Sequence, residues 1–97
     1  MALEGARVAE KMVFKTYILW SSSLQKFYVG STNNLEDRLL RHNSGQGKFT
    51  SKEMPWIVIW SCDCVDRKEA FNLESKIKSR GIRRFLEENG IDLKKVV

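Results

Sequence analysis

Two phenols, a guanidinium, an imidazole and a carboxylate stand at spacings that a fold can gather into one reactive site. Arg38 and His42 are four residues apart, which on a helix stacks them on one face. Leu35 and Leu39 hold the apolar side of that segment, so the pair borders the core without belonging to it. Its plain reading is an exposed polar face; its residue types are also those that bind anions and move protons. Glu74 follows Ala70 by four and precedes Ile77 by three, inside an apolar stripe of Ala70, Phe71, Leu73 and Ile77. A carboxylate emerging from such a stripe needs a partner, because an isolated buried charge is costly. Lys78 at i+4 offers an ion pair in the favourable order. The alternative is a hard oxygen ligand for Mg²⁺ at the edge of a sheet. Tyr17 and Tyr28 fall on two strands of a predicted hairpin, where phenols on one face form at least a cross-strand aromatic pair worth about 0.2–1 kcal/mol. Gly30, two residues after Tyr28, leaves that face bare. Either it is a structural glycine before a turn, or something approaches the backbone closely there.

The elements that must position these groups are legible from punctuation and period. Residues 13–21, rich in β-branched and aromatic side chains, read as a strand, and Phe27-Tyr28-Val29-Gly30 as a second, joined by a polar connection into an antiparallel hairpin. Ser31 to Asn34 supply N-caps for a helix with Glu36 and Asp37 in its first turn and Gly45 as its stop. Pro55 opens a third strand, Trp56 to Trp60, whose unbroken apolar run predicts burial on both faces. Asp66, with Glu69 at capping-box spacing, starts a second helix that runs to Arg80 before Gly81. A third spans Ile82 to Asn89 and ends at Gly90. The order β-β-α-β-α-α predicts an α/β fold: a small three-stranded antiparallel sheet flanked by helices.

The chain's 97 residues suit one domain. Residues 1–12 read as a disordered leader without the apolar run of a secretory signal, so a cytoplasmic location is expected. No run of about 18 apolar residues occurs, which excludes a transmembrane helix. The 17 Lys and Arg against 12 Asp and Glu give +5, a surplus that favours polyanionic partners, nucleic acid before membrane. Lys76, Lys78, Arg80, Arg83 and Arg84 lie within nine residues with no acid among them, either a solvated helix face or a phosphate-contacting strip. Cys62 and Cys64 read as reduced cysteines at a strand end, since tetrahedral zinc needs about four ligands and His42 is the single histidine.

In chain order, Lys15-Thr16-Tyr17, Tyr28-Val29-Gly30 after ten intervening residues, Arg38 with His42, and Glu74 together resemble the GIY-YIG endonuclease superfamily. Its members include homing endonucleases, some restriction enzymes and the nuclease subunit of nucleotide excision repair. The resemblance runs over residues 14–89 and is strongest to small stand-alone bacterial members, with His42-Asn43-Ser44-Gly45 in place of their His-x-x-Gly-like stretch. Two departures stand out. Lys15 and Thr16 replace the glycine and isoleucine of the first triplet, and Asn89 is the one late candidate for the asparagine that larger members carry near their metal.

The resemblance implies that residues 13–97 form a nuclease domain. Its reaction would be metal-dependent hydrolysis of phosphodiester bonds, in DNA more than RNA, with Mg²⁺ as cofactor and Mn²⁺ as a substitute. Glu74 would hold the metal, Arg38 would present a planar fork to the phosphate, and Tyr17, Tyr28 and His42 would complete the catalytic set. A tyrosine base meets an obstacle: ionising a phenol of pKa about 10 at pH 7 costs about 4 kcal/mol. Arg38, Lys48 and the metal are the available cations, or His42 accepts the proton onward; Tyr17 is the favoured base, with Tyr28 bonded to the phosphate or its water. Gly30 would let the phosphate approach the sheet, and flanking phosphates would fall to Lys48, Lys52, Lys76, Lys78, Arg80, Arg83 and Arg84. No base-reading element is recognisable, so weak sequence selectivity is expected. The rival implication is a nucleic-acid-binding domain without appreciable cleavage of its own, acting through a protein partner. If this basic set neutralises about six phosphates, affinity should fall with salt at a log–log slope of about −5, measured by titration of labelled DNA.

Overall fold

The computed structural model describes residues 13–44 and 55–96. The expected leader, Gly45, Lys48 and Lys52 lie outside the described residues. In chain order come strands β1 (Phe14–Ser21) and β2 (Lys26–Thr32), helix α1 (Leu35–Asn43), strand β3 (Trp56–Cys64), and helices α2 (Arg67–Arg80), α3 (Ile82–Glu88) and α4 (Leu93–Val96). The sheet is antiparallel in the order β2-β1-β3. The expected α/β fold is therefore present, with α4 as an additional short element after Gly90.

Central position explains β1. Every residue from Thr16 to Ser21 is buried, because both strand edges are paired and both faces are covered. Alternation along the strand sends Ile18 to one face and Tyr17 and Leu19 to the other. Ile18 packs with Val29 of β2, Ile77 of α2, Phe85 and Leu86 of α3, and Leu93 of α4. Tyr17 and Leu19 pack with Trp56, and Tyr28, Leu35 and Leu39 close that side beneath α1. The molecule thus has three layers, α1, sheet and α2–α4.

The third strand corrects a sequence expectation. Its run from Trp56 to Trp60 is not buried on both faces: Ile57 is exposed and the next three residues are half-buried. The reason is its edge position. A break in register pairs Ile18 with Trp60 but Leu19 with Val58, a bulge that lets Ile59 and Trp60 both reach the Ile18 core. The strand also continues to Cys64, so Cys62 and Cys64 end β3 as free thiols.

Helix ends follow the expected chemistry. Asn34 caps α1 by accepting from Asp37 N at 3.1 Å. Asp66 caps α2 through Glu69 N at 2.8 Å, and Glu69 Oε1 accepts from Val65 N at 2.7 Å. Gly81 terminates α2 at φ +100°, a conformation that favours glycine. The apolar stripe of α2 is narrower than predicted: Ala70 and Ile77 are fully buried, whereas Phe71 is 61% exposed.

Gly30 faces Tyr17 directly across the β1–β2 pair. A Cβ there would stand 2.6 Å from Tyr17 Oη and 2.8 Å from its Cζ, so the bare backbone is the bed on which the phenol lies. The space expected for a phosphate is filled by this ring. Gly30→Ala should destabilise the protein by about 1–3 kcal/mol through overpacking. In a Tyr17→Ala background the same change should cost far less, and urea unfolding of the double-mutant cycle measures the difference.

Candidate active site

Sheet and helices meet in a cleft of about 680 Å³ between the end of β2, α1 and the first half of α2. Its walls include Ser31 and Asn33 of β2 and the following turn, Arg38 of α1, and Arg67, Phe71 and Glu74 of α2. Glu74 reaches it because α2 is bonded to the sheet one turn earlier. Thr16 Oγ1 donates to the Ala70 carbonyl at 2.8 Å, and Ser31 Oγ lies 3.2 Å from the same oxygen. Thr16 and Ser31 are cross-strand partners, so two strands grip one helical carbonyl. Ser31 Oγ also donates to Glu74 Oε1 at 2.7 Å.

Of the two alternatives for Glu74, the ion pair is present. Its second oxygen pairs with Lys78 Nζ at 2.9 Å, the expected i+4 ion pair, yet the side chain lines the cleft at 16% exposure. The carboxylate is therefore anchored on one side by a cation and on the other by a hydroxyl, in the wall of the cleft.

Behind the cleft the ring groups form a connected set. Tyr17 and Tyr28 have ring centroids 6.4 Å apart, and Tyr28 meets the edge of His42 at 4.9 Å. Tyr17 is fully buried, and its Oη has no hydrogen-bond partner among the described residues. Burial pushes this phenol well above its ordinary value of 10, and the neighbouring Tyr28 and Glu74 add to the rise. Arg38 pulls the other way from close by without a bond of good geometry. His42 is not on an exposed face: it is 5% exposed, and burial, then the nearby Arg38 charge, lower its pKa below the ordinary 6.5.

Of the five groups expected to converge, only Arg38 and Glu74 line the cleft; Tyr17 lies within electrostatic range of Tyr28, Arg38 and Glu74, and His42 packs on Tyr28 within range of Arg38. The match to the GIY-YIG catalytic domain spans residues 14–84. The chain belongs to the GIY-YIG family. That family is one of nucleases, and its catalytic domain interacts with nucleic acid. Among bacterial relatives, the chain is similar to the UPF0213 protein of the ldhD 5′ region of Pediococcus acidilactici, 33% identical over 84 residues, 80% of this chain and 85% of that protein. It is likewise similar to the UPF0213 protein YsiG of Lactococcus lactis subsp. lactis (strain IL1403), 37% identical over 70 residues, 71% and 66% of the two chains. No solved structure matches significantly. No helix among the described residues is long and apolar enough to cross a membrane.

The basic strip of this GIY-YIG chain does not gather into one patch. Lys78 is tied to Glu74, and Arg80 holds Glu88 through two nitrogens, with Arg84 Nε 3.6 Å from the same carboxylate. Arg83 lies over Phe27 at 5.3 Å. Lys76, two residues from Lys78 and so on the opposite side of α2, borders a groove with Cys62, Asp63 and Glu69. Asn89 caps α3 by donating to the Phe85 carbonyl at 2.8 Å.

Other residues shape the site without having been singled out. Arg67 and Lys68 are its additional cations; the capping segment around Asp66 hid them as ordinary first-turn residues. Asn43 bonds both backbone groups of Trp56, Nδ2 to the carbonyl at 3.1 Å and Oδ1 from the amide at 2.6 Å. That clamp joins the end of α1 to β3 and holds His42 over Tyr28. Because folding lowers His42's pKa, the unfolded chain binds the proton more readily, so this contribution to stability is complete above pH about 6.5 and is lost as pH falls below it. Urea midpoints followed from about pH 8 to about pH 5 should drop in the wild type and drop less in His42→Gln.

Proposed function

We propose that the chain is a metal-dependent endonuclease that hydrolyses phosphodiester bonds in DNA with weak sequence selectivity. The observation that supports it most is Glu74, the one carboxylate among the described residues lining a cleft that also carries Arg38, with the two tyrosines and His42 packed nearby. The donor set suits Mg²⁺, or Mn²⁺ in its place. Among the described residues no three His, Cys, Asp or Glu cluster as a metal cage, and Mg²⁺ favours one or two carboxylates with water and substrate phosphate oxygens for the remainder. Glu74 would hold it, with the Ser31 hydroxyl orienting the carboxylate. When bound, the ion supplies charge neutralisation at the scissile phosphate and the leaving 3′ oxygen.

The protein's own groups divide the remaining work. Arg38 holds the phosphate as negative charge builds, a fork made for two phosphate oxygens. Tyr17 takes the donor's part instead of the base's, because its raised pKa keeps the hydroxyl protonated at neutral pH. Its Oη–H is buried beside Arg38, so it would act on the phosphate through that guanidinium and not by direct contact. His42, held neutral by burial and Arg38, is the proton acceptor, reached directly or through Tyr28. Water then gives its proton to the imidazole as its oxygen bonds to phosphorus. The P–O3′ bond breaks, its electron pair leaves with the 3′ oxygen, and that oxygen takes a proton from solvent water.

The Lys78–Glu74 pair favours a second reading, a GIY-YIG domain that binds nucleic acid but cleaves little without a partner. Incubation of supercoiled, branched and single-stranded DNA with Mg²⁺ or Mn²⁺ separates the two. Nicking that drops about 100-fold or more in Glu74→Ala and Arg38→Ala supports the nuclease. Equal traces in the wild type and both variants indicate a contaminant and favour the second reading. With Arg38, Arg67 and Lys68 as the phosphate contacts, the duplex salt slope should lie near −3 rather than the steeper value predicted from the whole basic strip.

A further inference from the structure

Phe71 is the largest departure of α2 from its packing pattern. Ala70 beside it is fully buried, while Phe71 is 61% exposed and stands in the wall of the cleft. Phe14 of β1 opens into the same cleft, and the Arg67 guanidinium lies over its ring at 5.1 Å from the centroid. Arg67, Phe71, Glu74 and Lys78 follow each other at helical spacings of four, three and four, so they form one stripe on one face. Along it, in successive turns about 5.4 Å apart, come a cation, a bare aromatic ring, and the carboxylate with its lysine.

Core packing does not account for this ring: exposing an aromatic on a helix that has an apolar face available is unfavourable. Its charge surroundings narrow what it meets. Arg38, Arg67 and Lys68 against Glu74 leave the cleft positive, which suits a polyanion. An aromatic face beside phosphate-binding cations is the combination by which proteins hold unpaired nucleotides, the base stacked and the backbone on the charges. A base pair inside a duplex cannot use it. Both its faces are covered by neighbouring pairs, and only its edges reach the grooves.

We propose that Phe71 is a stacking platform for an unpaired base next to the phosphate held at Arg38 and Glu74, so that the substrate class is single-stranded DNA or a duplex with an unpaired nucleotide at the cleavage position. This deepens the nuclease reading and rests on it for the position of the phosphate. Arg67 and Lys68, one turn towards the start of α2, take the neighbouring phosphate.

The test measures binding without divalent metal, so that no cleavage is needed. Anisotropy titrations compare a short labelled DNA strand, the blunt duplex of the same sequence and that duplex with one bulged nucleotide. The wild type should hold the single strand and the bulged duplex at least about tenfold more tightly than the blunt duplex. Phe71→Ala should weaken the first two by about 5- to 150-fold, the range of one lost base stack, and leave the blunt duplex unchanged. Phe71→Trp should restore binding. Equal affinity of the wild type for all three DNAs, or Phe71→Ala binding the single strand as the wild type does, overturns the proposal. So does a loss in Phe71→Ala that matches a fall in its urea midpoint and is equal for all three DNAs, since the ring would then be packing. Cleavage assays on the same DNAs keep the two readings apart. Glu74-dependent nicking that ignores Phe71 sinks the platform and spares the nuclease, whereas Phe71-dependent single-strand binding with no nicking does the reverse.

Discussion

The carbonyl of Ala70 is where helix and sheet are locked together. A helical carbonyl already accepts one intrahelical N–H, and its second lone pair is open to a donor from outside. Thr16 donates its hydroxyl proton to that oxygen, and Ser31, facing Thr16 across β1 and β2, stands 3.2 Å from it while giving its own proton to Glu74. Alanine has no side chain beyond Cβ, which lets the backbone come close enough. The grip sets both the distance and the rotation of α2. Glu74 lies one turn further along, and a rotation by a single residue, about 100°, would swing its carboxylate out of the cleft and away from Ser31.

Burial then separates the proton affinities of groups that sit side by side. Removing water disfavours the charged form of each, which means opposite shifts for an acid and a base. The phenol of Tyr17 rises and the imidazole of His42 falls. Burial therefore widens the gap in proton affinity that a phenol and an imidazole already have in water. Arg38 affects both groups, pulling the phenol down against the larger effect of burial and reinforcing the fall at His42. Gly30 makes the burial possible by leaving room for the Tyr17 ring over bare backbone.

Much of this was legible along the chain. Strand composition, the caps at Asn34 and Asp66, and the stop at Gly81 are local effects, set by residues within one turn of each other, and the structure follows them. The two tyrosines share a face because strand periodicity and a short hairpin leave little choice. Three expectations failed for non-local reasons. β3 looked doubly buried because an apolar run says nothing of edge or centre. Phe71 looked inward because a stripe drawn by spacing cannot tell which of two adjacent residues the neighbouring layer covers. The basic strip looked continuous because its counter-ions, Glu74 and Glu88, lie outside the segment in which the charges were counted.

The sequence by itself determined the order of elements, their ends, and the list of candidate groups for the site, since each depends on residue type and short spacing. Tertiary structure alone decided that Thr16, Ser31 and Ala70 fasten the helix carrying Glu74, that Asn43 clamps α1 to β3, and that Tyr17 is sealed while Phe71 is bare. These depend on which surfaces meet when distant segments pack, and on the water excluded when they do, and neither is a property of any one stretch of chain.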